Sequence, residues 1–290
     1  MVSPAVRRKR LAAELRAIRE NSGRAADRVA RALRWSPSKI TRYELARTGL
    51  KPSEVARLLD YYGITGDRRD QLLQLADEAA GKGWWEVSGH PLSPDFQLYI
   101  GYEDEASEIS MWHYEVVPGL LQTEDYARHV IGNYAMIEPI APRVIERQVS
   151  HRMRRQQILT REPPARLSAV LDESILTRRI GDERTMHDQL RHLAGLADRP
   201  NLSVRILPLR AQYPVLGASF VIFNFGSPDE FALPDVVVSE QLKTILTIED
   251  EQQAHLYTIV FELLRGTALD EPASRDLILE TMKSRWSGRP

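Results

Sequence analysis

Residues 24–47, RAADRVARALRWSPSKITRYELAR, decide the reading of this 290-residue chain. Ala26, Val29, Ala30 and Leu33 recur at helical spacing, so residues 24–33 are expected to form an amphipathic helix. Trp35-Ser36-Pro37 interrupts that period and starts the next element. Ser36 suits an N-cap, and Pro37 suits the first helical position, where its missing N–H costs nothing. The second helix then runs over residues 37–45, with Ile40 and Tyr43 turned to the core and Ser38, Lys39, Thr41 and Arg42 left facing outward. Two short helices, a tight turn and a polar outer face form the helix-turn-helix pattern. Its first helix crosses the DNA backbone, and its second lies in the major groove with N-terminal residues at base edges.

Outward from this motif, Leu11, Leu15 and Ile18 predict a preceding helix over 7–20, stopped at Gly23. Lys51-Pro52-Ser53 opens a fourth, with Val55, Leu58 and Leu59 inside, closing at Gly63. A fifth covers about 67–80 and stops at Gly81-Lys82-Gly83. Residues 1–81 therefore read as an all-α, five-helix DNA-binding domain, and residues 84–290 as a second domain.

Charge separates the same two parts. Residues 1–47 hold thirteen Lys/Arg against four Asp/Glu, a net +9, while the rest of the chain carries −10 and the whole −1. A basic head on an acidic body is expected to meet a polyanion through the head alone. Arg42 has the geometry for a bidentate bond to guanine, and Ser38 and Thr41 reach bases or phosphates. Lys39 suits phosphate, and Arg24, Arg28, Arg31 and Arg47 would neutralise the flanking backbone, making affinity fall steeply with salt.

The second domain starts at Trp84-Trp85-Glu86, followed by a Pro- and Ser-rich loop over 88–94. Residues 95–113 read as a helix, as do those after Thr123, which is a capping residue, and residues 142–160 and 182–197. Strands are expected at 166–171, 202–207, 219–225 and 236–239, with helices again over about 249–265 and 272–284. The fold class is thus α+β: a helical helix-turn-helix domain, then an α+β domain with a small, mostly antiparallel sheet. Trp84, Trp85, Tyr99, Tyr102, Trp112 and Tyr114 are dense enough to line a partner or effector site, or to seal a core. Arg147, Arg152, Arg154 and Arg155 make a basic face on one helix.

Other chemistry is scarce. With no cysteine there is no disulfide, thiolate metal site or cysteine nucleophile. His187 and His192 stand about 140° apart on a helix and do not share a face. Asp172-Glu173 follows a strand, where helix capping explains it better than acid–base work. No phosphate-loop or nucleophile-elbow motif occurs. No catalytic residue, metal or cofactor is expected. No apolar run approaches the roughly 20 residues of a membrane span, and the basic N-terminus lacks a signal-peptide core. A soluble, cytoplasmic, non-enzymatic protein is the expectation.

The segment RAADRVARALRWSPSKITRYELARTGLKPSEVARLLDYYGI resembles Xre-type (lambda-repressor-like) helix-turn-helix domains. From Trp84 to Phe225 the chain is similar to actinobacterial WhiJ-like regulators, carrying WWE, VPGLLQTEDYAR, RMRRQQIL, VLDESIL, QLRHLAGLADRPNLSVRILP and SFVIFNF in their order. The resemblance implies base contacts at Pro37, Ser38 and Arg42, and backbone contacts near Ala26 and Lys39. The chain departs from it at Arg34, where such turns often hold Gly to permit a positive φ; arginine there costs about 1 kcal/mol if the turn is left-handed. Arg34 and Ser36 complete the expected DNA-facing set. The resemblance further implies a C-terminal domain described as antitoxin-like or of unknown function, and a small partner protein encoded nearby.

These readings converge on a sequence-specific regulator of double-stranded DNA. One helix-turn-helix domain reads few base pairs, so a homodimer is expected, with the helices over about 249–284 as its surface. An antitoxin-type protein that neutralises a small partner, with DNA binding as autoregulation, is the alternative.

Overall fold

Capping chemistry marks some of the helix ends in the first half and not others. The computed structural model describes residues 3–46, 48–81, 83–84, 92–213, 217–226, 234–242 and 244–287. Helix α1 (Pro4–Asn21) starts at Ser3, whose Oγ accepts from the Val6 N–H, and buries Val6, Leu11, Ala12 and Leu15. Then follow α2 (Ala26–Leu33) and α3 (Pro37–Glu44). Next come α4 (Pro52–Tyr62), closed by Gly63 at φ +72°, and α5 (Gly66–Ala80). The positive φ is one that glycine adopts without strain. Their inner faces form one core in which Val29, Ala30, Val55, Leu59, Leu72 and Ala76 are fully buried.

A sixth helix, α6 (Pro94–Glu105), completes this unit, which spans Met1–Glu105. α6 approaches α1 closely at Gly101, where a Cβ would stand 2.5 Å from Ser3 Oγ. Glu105 closes the junction: it accepts from the Ser3 N–H (3.0 Å) and pairs with Arg7 (3.7 Å) and Arg10 (3.4 Å).

The second unit, Ala106–Pro290, is built on a sheet. Strand β1 (Glu108–His113) is followed by α7 (Glu124–Tyr134), α8 (Pro142–Arg155) and a 3-10 turn over Gln156–Leu159. Strand β2 (Arg166–Asp172) leads through the short α9 (Ser174–Thr177) and α10 (Glu183–Leu196) to β3 (Leu202–Leu207). Strands β4 (Phe220–Asn224), β5 (Val236–Glu240) and β6 (Ile245–Ile248) precede α11 (Glu251–Thr267) and α12 (Glu271–Arg285). The strand order is β3-β2-β1-β4-β5-β6. The β1–β2 and β2–β3 pairs are parallel, because helices cross over between them. The β1–β4, β4–β5 and β5–β6 pairs are antiparallel.

One sheet face carries Trp112, Val170, Phe220, Ile222 and Val237 against Ala254, Phe261 and Leu264 of α11. At the β3 edge, Ser274 Oγ of α12 accepts from the Ile206 N–H (2.9 Å), and Trp286 Nε1 donates to the Leu176 carbonyl (2.8 Å). That edge is thereby covered.

Two expected helix bounds are corrected. Residues 95–113 do not form one helix: α6 stops at Glu105, and β1 takes a central place in the sheet. Ile109 and Met111 gain more from burial on a strand than a helix end would give them. The sheet is mixed with six strands, and the expected antiparallel majority is borne out: three of its five pairs are antiparallel, while βαβ crossovers impose the two parallel ones. The helix expected over 142–160 ends at Arg155 and tightens into the 3-10 turn. Among the described residues, no helix is long and apolar enough to cross a membrane.

Candidate DNA-binding surface

α2 ends on a left-handed residue. Arg34 adopts φ +57° and ψ +41°. Its N–H donates to the Arg31 carbonyl (3.2 Å), and the Trp35 N–H donates to Ala30 (2.8 Å). This is the Schellman arrangement, which satisfies the last carbonyls of a helix. Arg57 of α4 supplies a further donor to the Leu33 carbonyl (2.9 Å). The turn is therefore built with an arginine where glycine is easier, and three hydrogen bonds hold it.

α3 opens at Ser36 with Pro37 at its first position, as the motif requires. The Ser36 hydroxyl makes no capping bond; it stands 3.4 Å from the Ser38 hydroxyl instead. Ile40 anchors the inner face at 2% exposure. The end of α3 is clamped to α1 by Arg19, which donates to both carboxylate oxygens of Glu44 (2.6 and 3.0 Å). A bidentate guanidinium–carboxylate pair fixes orientation as well as position.

A cation–aromatic cluster ties α3 to α4. Trp35 and Tyr43 meet edge to face at 6.0 Å. The Lys39 ammonium lies 4.4 Å from the Trp35 centroid and 5.5 Å from that of Tyr43. It also bonds Glu54, which accepts from the Lys51 N–H (3.1 Å). Burial works against the Lys39 charge, but its bonding to Glu54 and Tyr43 outweighs that and raises its pKa. Arg57 stacks on Trp35 from 5.6 Å.

The predicted DNA-facing residues thus divide. Arg28, Arg34, Ser36, Pro37, Ser38, Thr41 and Arg42 are exposed, and Arg28, Arg34 and Arg42 form no ion pair with a described residue. Lys39 is turned inward to Glu54 and the aromatic pair. Arg24 donates to the Tyr61 carbonyl (2.9 Å) and stacks on the Tyr61 ring (4.5 Å). Arg31 is exposed and bonds its own helix at the Asp27 carbonyl (3.3 Å). Arg47 lies outside the described residues.

Much of the +9 head is consumed internally: Arg7 by Glu78 and Glu105, Arg10 by Glu105, Arg16 by Glu20, Arg19 by Glu44. Burial lowers the Lys9 pKa to about 8, against the opposing pull of Asp95. Among the described residues, Arg28 and Arg31 of α2, Arg34 of the turn and Arg42 of α3 remain outward. The positioning roles of Arg19, Glu44, Glu54 and Arg57 carry no local motif. Only Glu54, three residues past the N-cap Lys51 of α4, sits where a capping-box acid would be sought.

The six aromatic candidates do not form one surface. Tyr99 and Tyr102 are buried in the first unit, where Tyr99 stacks on Phe96 at 5.9 Å. Trp112 is buried and Tyr114 half-buried in the second unit, 6.4 Å apart. Trp84 is half-buried, and Trp85 lies outside the described residues. The basic face on α8 also divides: Arg152 donates to Gln122 Oε1 (2.8 Å) and Arg155 is buried. Burial lowers the pKa of His151, and Arg147 and Arg154 lower it further. Asp172 Oδ1 accepts from the Ser174 N–H (2.9 Å), and Glu173 Oε2 from Leu209 (2.8 Å). Among the described residues no cluster of three His, Asp or Glu is arranged to hold a metal.

A helix held across a second, with hydroxyls exposed near the start of the second and a guanidinium exposed one turn further on, fits the helix-turn-helix class of DNA-binding domains. Residues 10–72 match the model of a helix-turn-helix domain. Residues 96–280 match a domain of unknown function, DUF5753, and the chain belongs to that family. No curated protein matches the chain.

Proposed function

We propose that the protein is a sequence-specific transcription regulator of the Xre type, in the WhiJ-like group. In this reading it binds an operator as a dimer and is controlled by a small partner protein or effector acting on the second unit. The observation that carries the reading is Arg42: exposed, unpaired with any described residue, and on the same outward side of α3 as Ser38 and Thr41. A guanidinium held this way is suited to bidentate readout of guanine. Arg28 and Arg34 supply charge for the flanking phosphates. Leu256, Ile259 and Leu263 of α11 are 60%, 45% and 49% exposed and support the dimer.

The test is a genomic DNA pull-down with sequencing, using wild type, Arg42→Ala and Lys39→Ala. Wild type enriches a short motif, and Arg42→Ala loses it while keeping its thermal stability, since Arg42 packs on nothing. Lys39→Ala keeps the motif but lowers stability by about 1–2 kcal/mol, because it leaves Glu54 and the aromatic pair without their cation. Unchanged enrichment by Arg42→Ala would remove α3 from the recognition role.

A further inference from the structure

The sheet of the second unit changes character at β1. On one side its neighbour β2 runs parallel, and on the other β4 runs antiparallel. In open sheets with crossover helices, ligands are bound at the carboxyl ends of parallel strands, where the topology switches. At that end of β1, under α11, lies a cavity of about 180 Å³. Trp112 and Phe220, paired across β1 and β4, form its floor; Leu256, Tyr257 and Val260 of α11 form its roof, with Ser239 of β5 at the side. Its walls are largely aromatic: Trp112, Phe220 and Tyr257 line it, and Phe220 and Tyr257 meet edge to face at 5.0 Å.

We infer that this cavity is a binding site for a neutral, planar aromatic small molecule of about one fused ring system, carrying a single hydrogen-bond donor. Size sets the first limit: dry apolar cavities of about 150 Å³ accept benzene. Charge sets the second, since no lining residue is ionisable at neutral pH to balance a charged ligand, and burying an unpaired ion is costly. The donor follows from Ser239. Its hydroxyl hydrogen is committed to the Ser219 carbonyl (2.8 Å), so its oxygen is left as an acceptor. The occupant sits against the inner face of α11, whose outer face carries Ile259 and Leu263, so binding is coupled to the position of that helix. Treating the ligand as an effector rests on the regulator reading; the binding itself does not.

The probe is indole, titrated calorimetrically into the full chain. Saturable binding of one indole per chain is expected. Benzothiophene, which lacks the N–H, binds more weakly, and Ser239→Ala removes that difference. Tryptamine and indole-3-acetate bind least. Val260→Phe and Ala218→Phe, which each place a ring in the cavity from a different element, weaken indole by tenfold or more, on the order expected for an occupied pocket. Either variant suffices if the other fails to fold. No saturation at millimolar indole, or full binding in both folded variants, overturns the site. A small-molecule site is likewise overturned if only a partner protein's aromatic side chain occupies the cavity. Operator affinity that is the same with and without saturating indole overturns the effector role. These titrations contain no DNA until that last step, so they stand apart from the Arg42→Ala pull-down.

Discussion

Arg34 combines a backbone cost with a placement near the proposed DNA face. A left-handed non-glycine residue carries roughly 1 kcal/mol of strain, and Arg34 bears it at φ +57°. Arg34→Gly should therefore raise thermal stability slightly, by up to about 0.5 kcal/mol once the added flexibility of the unfolded chain is subtracted. The same change removes an exposed cation, so the salt dependence of DNA binding should fall by about one phosphate contact. Melting and salt titration of one variant thus move in opposite functional directions, and a lowered melting temperature would show the strain argument wrong. At this scale the sequence was informative wherever the relevant neighbours are local. Ser36-Pro37, the αL position and the outward placing of Ser38, Thr41 and Arg42 all follow from residues within one turn. Lys39 and Arg24 were not legible as inward-bonded groups, because Glu54 and Tyr61 reach them from another helix, and nothing in the local spacing records that approach.

Among the elements, β1 is the instructive case. Ile109–Trp112 is a short, mostly apolar stretch set off from the apolar residues of α6 by Glu103–Glu108, and such a stretch is compatible with a helix or a buried strand. Pairing with β2 on one side and β4 on the other decides it, and both partners are distant in sequence. β6 is not legible in the sequence for a related reason: four residues, ILTI, are too short to show a period. At the end of β1, His113 has its Nε2 buried without a partner, and burial pushes its pKa from 6.5 down to about 4. The folded protein therefore holds fewer protons at this site than the unfolded chain between those values. The stability involved is complete above pH 6.5 and is lost as pH falls through that window. The loss attributable to His113 amounts to about 2 kcal/mol between pH 7.5 and pH 5. His113→Leu should flatten that part of the curve in urea denaturation at the two pH values. His151 and His192, also depressed by burial, keep a shallower remainder. Identical pH dependence in wild type and variant would show that His113 is not held neutral.

At the scale of the whole molecule, the helix-turn-helix domain lies in one compact unit, Met1–Glu105, and the sheet in another, Ala106–Pro290, so the proposed dimer is sought on a surface of the second. α11 offers one. It buries Ala254, Phe261 and Leu264 against the sheet, yet Ile259 and Leu263 stay exposed on its other side, and Leu256 is exposed at the border between that side and the cavity. Their spacing of three and seven residues keeps them within about 60° of one another around the helix. A continuous apolar stripe on a single helix is self-complementary when two copies pack about a two-fold axis, as an isologous dimer requires. Two half-sites read by two linked domains gain affinity through effective concentration rather than new contacts. Ile259→Glu with Leu263→Glu places charge on that stripe without touching the cavity lining. Sedimentation should then report a monomer in place of a dimer, with the melting temperature preserved because neither side chain belongs to the core. Affinity for a two-half-site operator should drop by on the order of 100-fold, while affinity for a single half-site stays unchanged. A variant that still sediments as a dimer would place the interface elsewhere on the second unit. A wild type that is already monomeric while binding a two-half-site operator would locate the pairing on the DNA itself.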